Sequence, residues 1–121
     1  MKETPHAKFW ITNGIMFFIY KPISFLDYPT AKKIVEERLK FQLETQYPIL
    51  CDTQGIKNSA KSARDYLANE GSALTKAVAI VDNRHIANVM LRFYLMKNKP
   101  LVPSKICDTQ EDALSFLNTY L

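Results

Sequence analysis

Glycine is scarce in this chain, with three residues in 121. A loop that cradles phosphate needs several at fixed spacing, and no Gly-x-Gly-x-x-Gly, phosphate-loop or nucleophile-elbow motif occurs. Cysteine is scarcer still: Cys51 and Cys107 form no Cys-x-x-Cys, and His6 and His85 stand at no ligand spacing. Neither a metal site nor a cofactor is expected. No apolar run approaches the 18 residues of a membrane span; the longest covers Gly14 to Tyr20. The start, Met1-Lys2-Glu3-Thr4-Pro5, has no hydrophobic signal core, so a cytoplasmic location is expected.

Concentrated charge is missing too. The net charge is +4, but the lysines are scattered, and Lys97-Asn98-Lys99 is their densest knot. Nucleic-acid binding calls for clustered cations interleaved with exposed aromatics. A solvated surface is the expectation, without a nucleic-acid partner. What the chain does have is an apolar fraction of 47% against 23% charged residues. That is the make-up of a globular protein, and the length suits one domain over residues 1–121.

The pattern is organised around Lys76-Ala77-Val78-Ala79-Ile80-Val81-Asp82, a β-branched run apolar on both faces. A strand of that kind belongs inside a covered, parallel sheet. The same succession of apolar strand, polar corner and helix occurs at Pro48 to Asp52 and at Ser104 to Cys107. Upstream, Asn13-Gly14 separates Lys8–Thr12 from Ile15–Tyr20, a strong signal for a type I′ hairpin. Asp27 and Pro29 open the longest helix, expected to run to about Gln46 with Ala31, Ile34, Val35, Leu39 and Leu43 inward. Arg38 and Gln42 fall within that apolar arc. Asn58 or Ser59 is expected to cap the next helix, with Gly71 as its breaking point. A third helix is expected over Arg84 to Lys97, and a fourth from Asp108 or Thr109, where Asp108 and Glu111 fit a capping box. Strand–helix alternation implies right-handed crossovers and parallel strands. The expected fold class is therefore α/β, a mixed, mostly parallel sheet of five strands with an N-terminal hairpin and four helices.

If the strands follow chain order, Cys51 and Cys107 lie two strands apart, about 9.6 Å. Disulfide geometry stops near about 7 Å between Cα atoms, so both thiols should be reduced. The tetrapeptide Cys51-Asp52-Thr53-Gln54 recurs as Cys107-Asp108-Thr109-Gln110, each time at a strand-to-helix corner. In an open parallel sheet, ligands and partners meet the carboxyl ends of the strands. The corner residues there are Asp52, Ser59, Ser62, Asn83, Arg84 and His85, with Asp108-Thr109 beside them. Each can equally serve as a cap or a solvated turn. Leu91, Tyr94 and Leu95 form an apolar ridge on the back of the third helix. It serves either self-association, as in a homodimer, or burial under the two-proline segment from Asn98 to Pro103.

Several runs together resemble the SpoIIAA-like, STAS-fold family. They are Tyr47-Pro48-Ile49-Leu50-Cys51-Asp52, Ala63-Arg64-Asp65-Tyr66-Leu67, Ala77-Val78-Ala79-Ile80-Val81, Asn98-Lys99-Pro100 with Pro103, and Asp112-Ala113-Leu114-Ser115-Phe116-Leu117. The resemblance covers nearly the whole chain and implies a small βα superhelix. Relatives of that family include anti-sigma-factor antagonists and the cytoplasmic domains of anion transporters, and more distant folds hold lipophilic ligands. Antagonists carry Asp-Ser-Ser-Gly at the start of a helix, with a serine phosphorylated by a partner kinase. This chain has Asn58-Ser59-Ala60-Lys61-Ser62-Ala63 there, without the acid and the glycine. Ser59 and Ser62 are thus phosphoacceptor candidates by position only. The reading is a non-catalytic regulatory module with a protein partner. The alternative is a binder of a small lipophilic or anionic ligand between the aromatic hairpin and the helices.

Overall fold

The computed structural model describes residues 1–85 and 100–121. The main sheet holds six strands: β1 (Lys2–Glu3), β2 (Ala7–Thr12), β3 (Ile15–Tyr20), β5 (Tyr47–Asp52), β7 (Thr75–Val81) and β8 (Ser104–Cys107). They lie in the order β1-β2-β3-β5-β7-β8. The first three are antiparallel, whereas β3, β5, β7 and β8 pair in parallel. Two further strands, β4 (Ile23–Leu26) and β6 (Ile56–Ser59), form a separate parallel pair. The described helices are α1 (Tyr28–Gln42), α2 (Lys61–Asn69) and α3 (Gln110–Asn118).

The α/β class and the mixed, mostly parallel sheet therefore hold, and the expected five strands become six plus a pair. Of the four expected helices three are described; the one expected over Arg84 to Lys97 falls almost wholly on residues 86–99, outside the described residues. Strand β1 is two charged residues long, and β6 reads Ile-Lys-Asn-Ser, so neither carries an apolar alternation. Pairing partners, not propensity, make them strands.

The hairpin turn is the expected one, with φ of 52° at Asn13 and 80° at Gly14. Asp27 caps α1, its carboxylate accepting from the Thr30 backbone N–H at 2.9 Å. Helix α1 stops at Gln42 rather than Gln46, because Leu43 and Glu44 turn to positive φ. Leu43, expected inside, is 81% exposed. Helix α2 ends at Asn69 and tightens to a 3-10 turn over Glu70–Ser72 that contains Gly71. At α3 the cap is Thr109, whose hydroxyl accepts from the Asp112 N–H at 3.2 Å. The Asp108–Glu111 capping box gives way to that bond.

Two cores flank the sheet. Phe9, Met16, Phe18, Tyr20 and Ile49 pack toward α1 and α2. Ile15, Leu50, Ala77, Ala79, Val81 and Cys107 pack against Ala113 and Leu117 of α3. Phe9 and Phe18 stack with ring centroids 5.0 Å apart. Arg38 and Gln42, awkward within the apolar arc, prove to be buried and mutually bonded. Arg38 donates to the carbonyls of Gly71 and Ala73, and Gln42 to those of Thr45 and Leu74. Three of these four carbonyls, those of Gly71, Ala73 and Leu74, belong to the turn entering β7, more than 30 residues along the chain. Burial lowers the Arg38 pKa, opposed by Tyr20 and Cys51.

Gly55 allows the chain to double back under the end of β3. A Cβ there would lie 2.6 Å from the Lys21 carbonyl oxygen and 2.7 Å from that of Tyr20, both backbone atoms. Gly71 differs, since its added Cβ would make ordinary contacts at 3.6 Å and beyond. Gly55→Ala should therefore lower unfolding free energy by about 1–3 kcal/mol. Gly71→Ala should change it by no more than about 1 kcal/mol. Urea denaturation of the two variants, followed by circular dichroism, checks the contrast; equal effects would refute it.

Candidate functional site

Parallel pairing of β5, β7 and β8 brings three strand ends to one rim. Cys51 pairs with Ile80, Asp52 with Val81, and Val81 with Cys107. Asp82 follows directly, and its side chain is fully buried. Its Oδ2 accepts from the Thr53 hydroxyl at 2.9 Å and from Arg84 Nη2 at 2.7 Å. Its Oδ1 accepts from Arg84 Nε at 2.9 Å and from the Arg84 backbone N–H at 3.2 Å. Arg84 Nη2 also donates to the Thr53 carbonyl at 3.1 Å. A two-pronged guanidinium–carboxylate pair is the geometry that holds an arginine in one orientation. Burial alone would raise the Asp82 pKa, but the Arg84 side chain, the Arg84 N–H and Thr53 outweigh it, leaving it lowered. The Arg84 pKa is raised, chiefly by its bond to Asp82.

The pair β4–β6 sets the rest of the rim. Leu26 stands opposite Ser59, and the Ala60 N–H donates to the Leu26 carbonyl at 2.9 Å. Helices α1 and α2 thus start side by side, and Tyr28 and Tyr66 meet edge to face at 5.4 Å. This pairing corrects the expected cap. Asn58 and Ser59 belong to β6, and Ala60 stands at the α2 N-cap without a side-chain bond. The Ser59 hydroxyl accepts from Arg64 Nη1 at 3.2 Å, and the Ser59 carbonyl from the same atom at 2.7 Å. Ser62 is exposed in the first turn of α2.

A cavity of about 1220 Å³ runs along β7 from Thr75 to Asp82 and takes in Ser59, Arg64, Arg84 and His85. Asp52, Ser62 and Asn83 are not among its walls. Asp52 binds the Gln54 N–H at 2.9 Å, and Ser62 borders a separate shallow depression with Tyr28 and Tyr66. Asn83 is exposed. Leu91, Tyr94 and Leu95 lie outside the described residues. Two residues at this place escaped the sequence reading as site residues: Thr53, visible only as a member of the repeated tetrapeptide, and Arg64, visible only within the run Ala63-Arg64-Asp65-Tyr66-Leu67.

Both cysteines are free. Burial, reinforced by Asp52 and opposed by Arg38, pushes the Cys51 thiol up to about 12. Burial also raises Cys107, with Lys105 opposing. Both are thiols at neutral pH, and the thiolate is the reactive form. Among the described residues no group of three His, Cys, Asp or Glu side chains could hold a metal. No described helix is long and apolar enough to cross a membrane.

Residues 9–121 match the family model described as a domain of unknown function (DUF7793). No curated protein matches the chain significantly. Among solved structures, one similar chain is an uncharacterised protein of the DUF3478 family with a SpoIIAA-like fold from Shewanella loihica PV-4. It has a TM-score of 0.65 at 13% identity, over 97% of this chain and 98% of that one. Another is an anti-sigma factor antagonist from Mycobacterium paratuberculosis, with a TM-score of 0.61 at 11% identity over 93% of this chain and 92% of that one. At such identities the likeness concerns the fold, which is the SpoIIAA-like, STAS fold.

An Asp82→Asn variant should lose about 1–3 kcal/mol at pH 7, toward the lower end because Arg84 is partly solvated. The folded-state pKa of Asp82 is depressed, so its contribution is present above the ordinary value of 3.8 and fades as pH falls through the folded-state value. The difference between wild type and variant should accordingly close below about pH 4. Urea midpoints from pH 3 to pH 7 measure it, and a gap independent of pH would exclude the charged clamp.

Proposed function

The chain belongs to the DUF7793 family, and we propose that it is a non-catalytic regulatory module of STAS type, one domain over 1–121, that binds a protein partner in the cytoplasm. The contact surface is the strand-to-helix rim, with Asp52, Ser59, Ser62, Asn83, Arg84 and His85 as its polar residues. The observation that carries this reading is the Asp82–Arg84–Thr53 clamp, which orders the rim before any partner arrives. Preordered polar groups cost less on association than mobile ones. The SpoIIAA-like fold, shared with a structure named as an anti-sigma factor antagonist, supports the same reading.

Catalysis fits the rim poorly. The hydroxyl of Ser59 accepts a bond from a guanidinium, which has no lone pair to take the serine proton. Phosphorylation by a partner kinase asks less of the serine itself. Of the two candidates, Ser62 is the exposed one, on a helix start with no side-chain cap and no acidic residue in its first turn. Negative charge is stabilising there. Self-association through Leu91, Tyr94 and Leu95 remains part of the proposal.

Ser62→Glu should raise stability by about 0.3–1 kcal/mol at low salt and lose the gain at high salt. A salt-independent effect would mean that the helix start does not sense charge. For the module itself, wild type and Asn83→Arg are each used as bait in extracts of the source cells. A partner retained by wild type and lost by the variant, with equal melting temperatures, is the expected result; equal retention would move the contact away from the rim.

A further inference from the structure

The shallow depression between α1 and α2 is walled by two tyrosine rings and is short of positive charge. Tyr28 and Tyr66 stand at 88° to one another with centroids 5.4 Å apart. They share a space of about 260 Å³ with Ser62, Asp65, Asn69 and Glu70. Tyr28 is 43% exposed, so helix packing does not use up its ring. Asp65 is matched by Lys61 at 2.9 Å. Glu70, in the wall, and Glu36, on α1, have no cation within ion-pair distance among the described residues. Both are felt at Tyr66, whose pKa is raised first by burial and then by Glu70 and Glu36. The depression also reaches the last turn of α2, which has no basic residue to meet its carbonyls.

We propose that this depression binds a small organic cation, an alkylated ammonium or a guanidinium, against the rings of Tyr28 and Tyr66 and beside Glu70. The inference does not rest on the interaction reading above. A tyrosine face attracts such a cation through its ring quadrupole, and perpendicular rings offer two walls of a corner. A metal ion fits less well, since among the described residues no group of three carboxylates, histidines or cysteines could hold one. An organic cation needs no converging ligands, because its charge is spread over a wide apolar or planar surface. Size agrees: whole-ligand pockets run to about 300–1,000 Å³, and this space, a little smaller, suits a single head group. The attraction is local, because the chain as a whole carries a net charge of +4 and repels cations.

The experiment is a titration of the full chain, followed through its backbone amide resonances by NMR. The probes are choline, its neutral carbon isostere dimethylbutanol, acetyl-arginine amide and its neutral counterpart acetyl-citrulline amide. One or both cations should bind with dissociation constants of about 1–10 mM, at least about fivefold tighter than the matching neutral compound. The shifts should centre on Tyr28 and on residues 62–70. Choline alone would identify an ammonium ligand, and the arginine amide alone a guanidinium one. Glu70→Gln should weaken the cations about two- to fivefold and leave the neutral compounds unchanged. Tyr66→Leu should weaken them about threefold or more, and its melting temperature shows whether the fold survives. Glu111→Gln, which removes an exposed carboxylate from α3, should bind as wild type does. Equal binding of cation and neutral isostere, an unaltered Glu70→Gln, a Glu111→Gln as weak as Glu70→Gln, shifts spread evenly over the chain, or no binding of either cation would each overturn the proposal.

Discussion

A carboxylate sealed from water is expensive unless every oxygen finds a donor, and Asp82 meets that condition with groups from two separate loops. Thr53 comes from the turn after β5, and Arg84 from the turn after β7. Neither loop can shift without leaving a buried charge short of a partner. The clamp therefore couples the ends of two adjacent strands. It converts what would be independent surface turns into one fixed edge, and the position of each polar group on that edge follows from it.

The opposite end of the sheet uses the same device with the sign reversed. There Arg38 is the buried charge, and carbonyls of the turn before β7 compensate it, with Gln42 bridging. Carbonyl dipoles at the end of a helical turn are a natural seat for a cation. Strand β7 is thus pinned at both termini by charged side chains and held along its length by apolar packing.

What could be read from the sequence was local. Asn13-Gly14, Asp27 with Pro29, and the β-branched run at Val78 each state their conformation within a few residues. The elements that escaped, β4 and β6, acquire theirs from one another across more than 30 residues, with Ile23 opposite Ile56 and Leu26 opposite Ser59. Good capping residues at Asn58 and Ser59 pointed to a helix start. Strand pairing outweighed that preference and left Ala60 in the cap position. Arg38 and Gln42 looked misplaced for the same reason, since their acceptors lie at Gly71 to Leu74. For the candidate site, the sequence offered six polar residues, and the structure brings Ser59, Arg84 and His85 to one cavity while Asp52, Ser62 and Asn83 lie outside its walls. The Arg64–Ser59 contact was not legible, because it exists only once β6 is a strand.

That contact makes the two candidate serines physically unequal. Ser59 is half-buried in a strand, and its hydroxyl already engages the Arg64 guanidinium. A phosphate at Ser59 would capture Arg64 fully and place two negative charges at the cavity mouth. Ser62 sits three residues on, outside the cavity walls, beside Tyr28 and Tyr66. A phosphate there would meet the uncapped start of α2 and leave Arg64 with its present acceptors. A phosphate at Ser59 would therefore act on Arg64, whereas one at Ser62 would alter only the outer rim. The two hydroxyls of this short segment thus face different surroundings, Ser59 the Arg64 guanidinium and Ser62 the exposed start of α2.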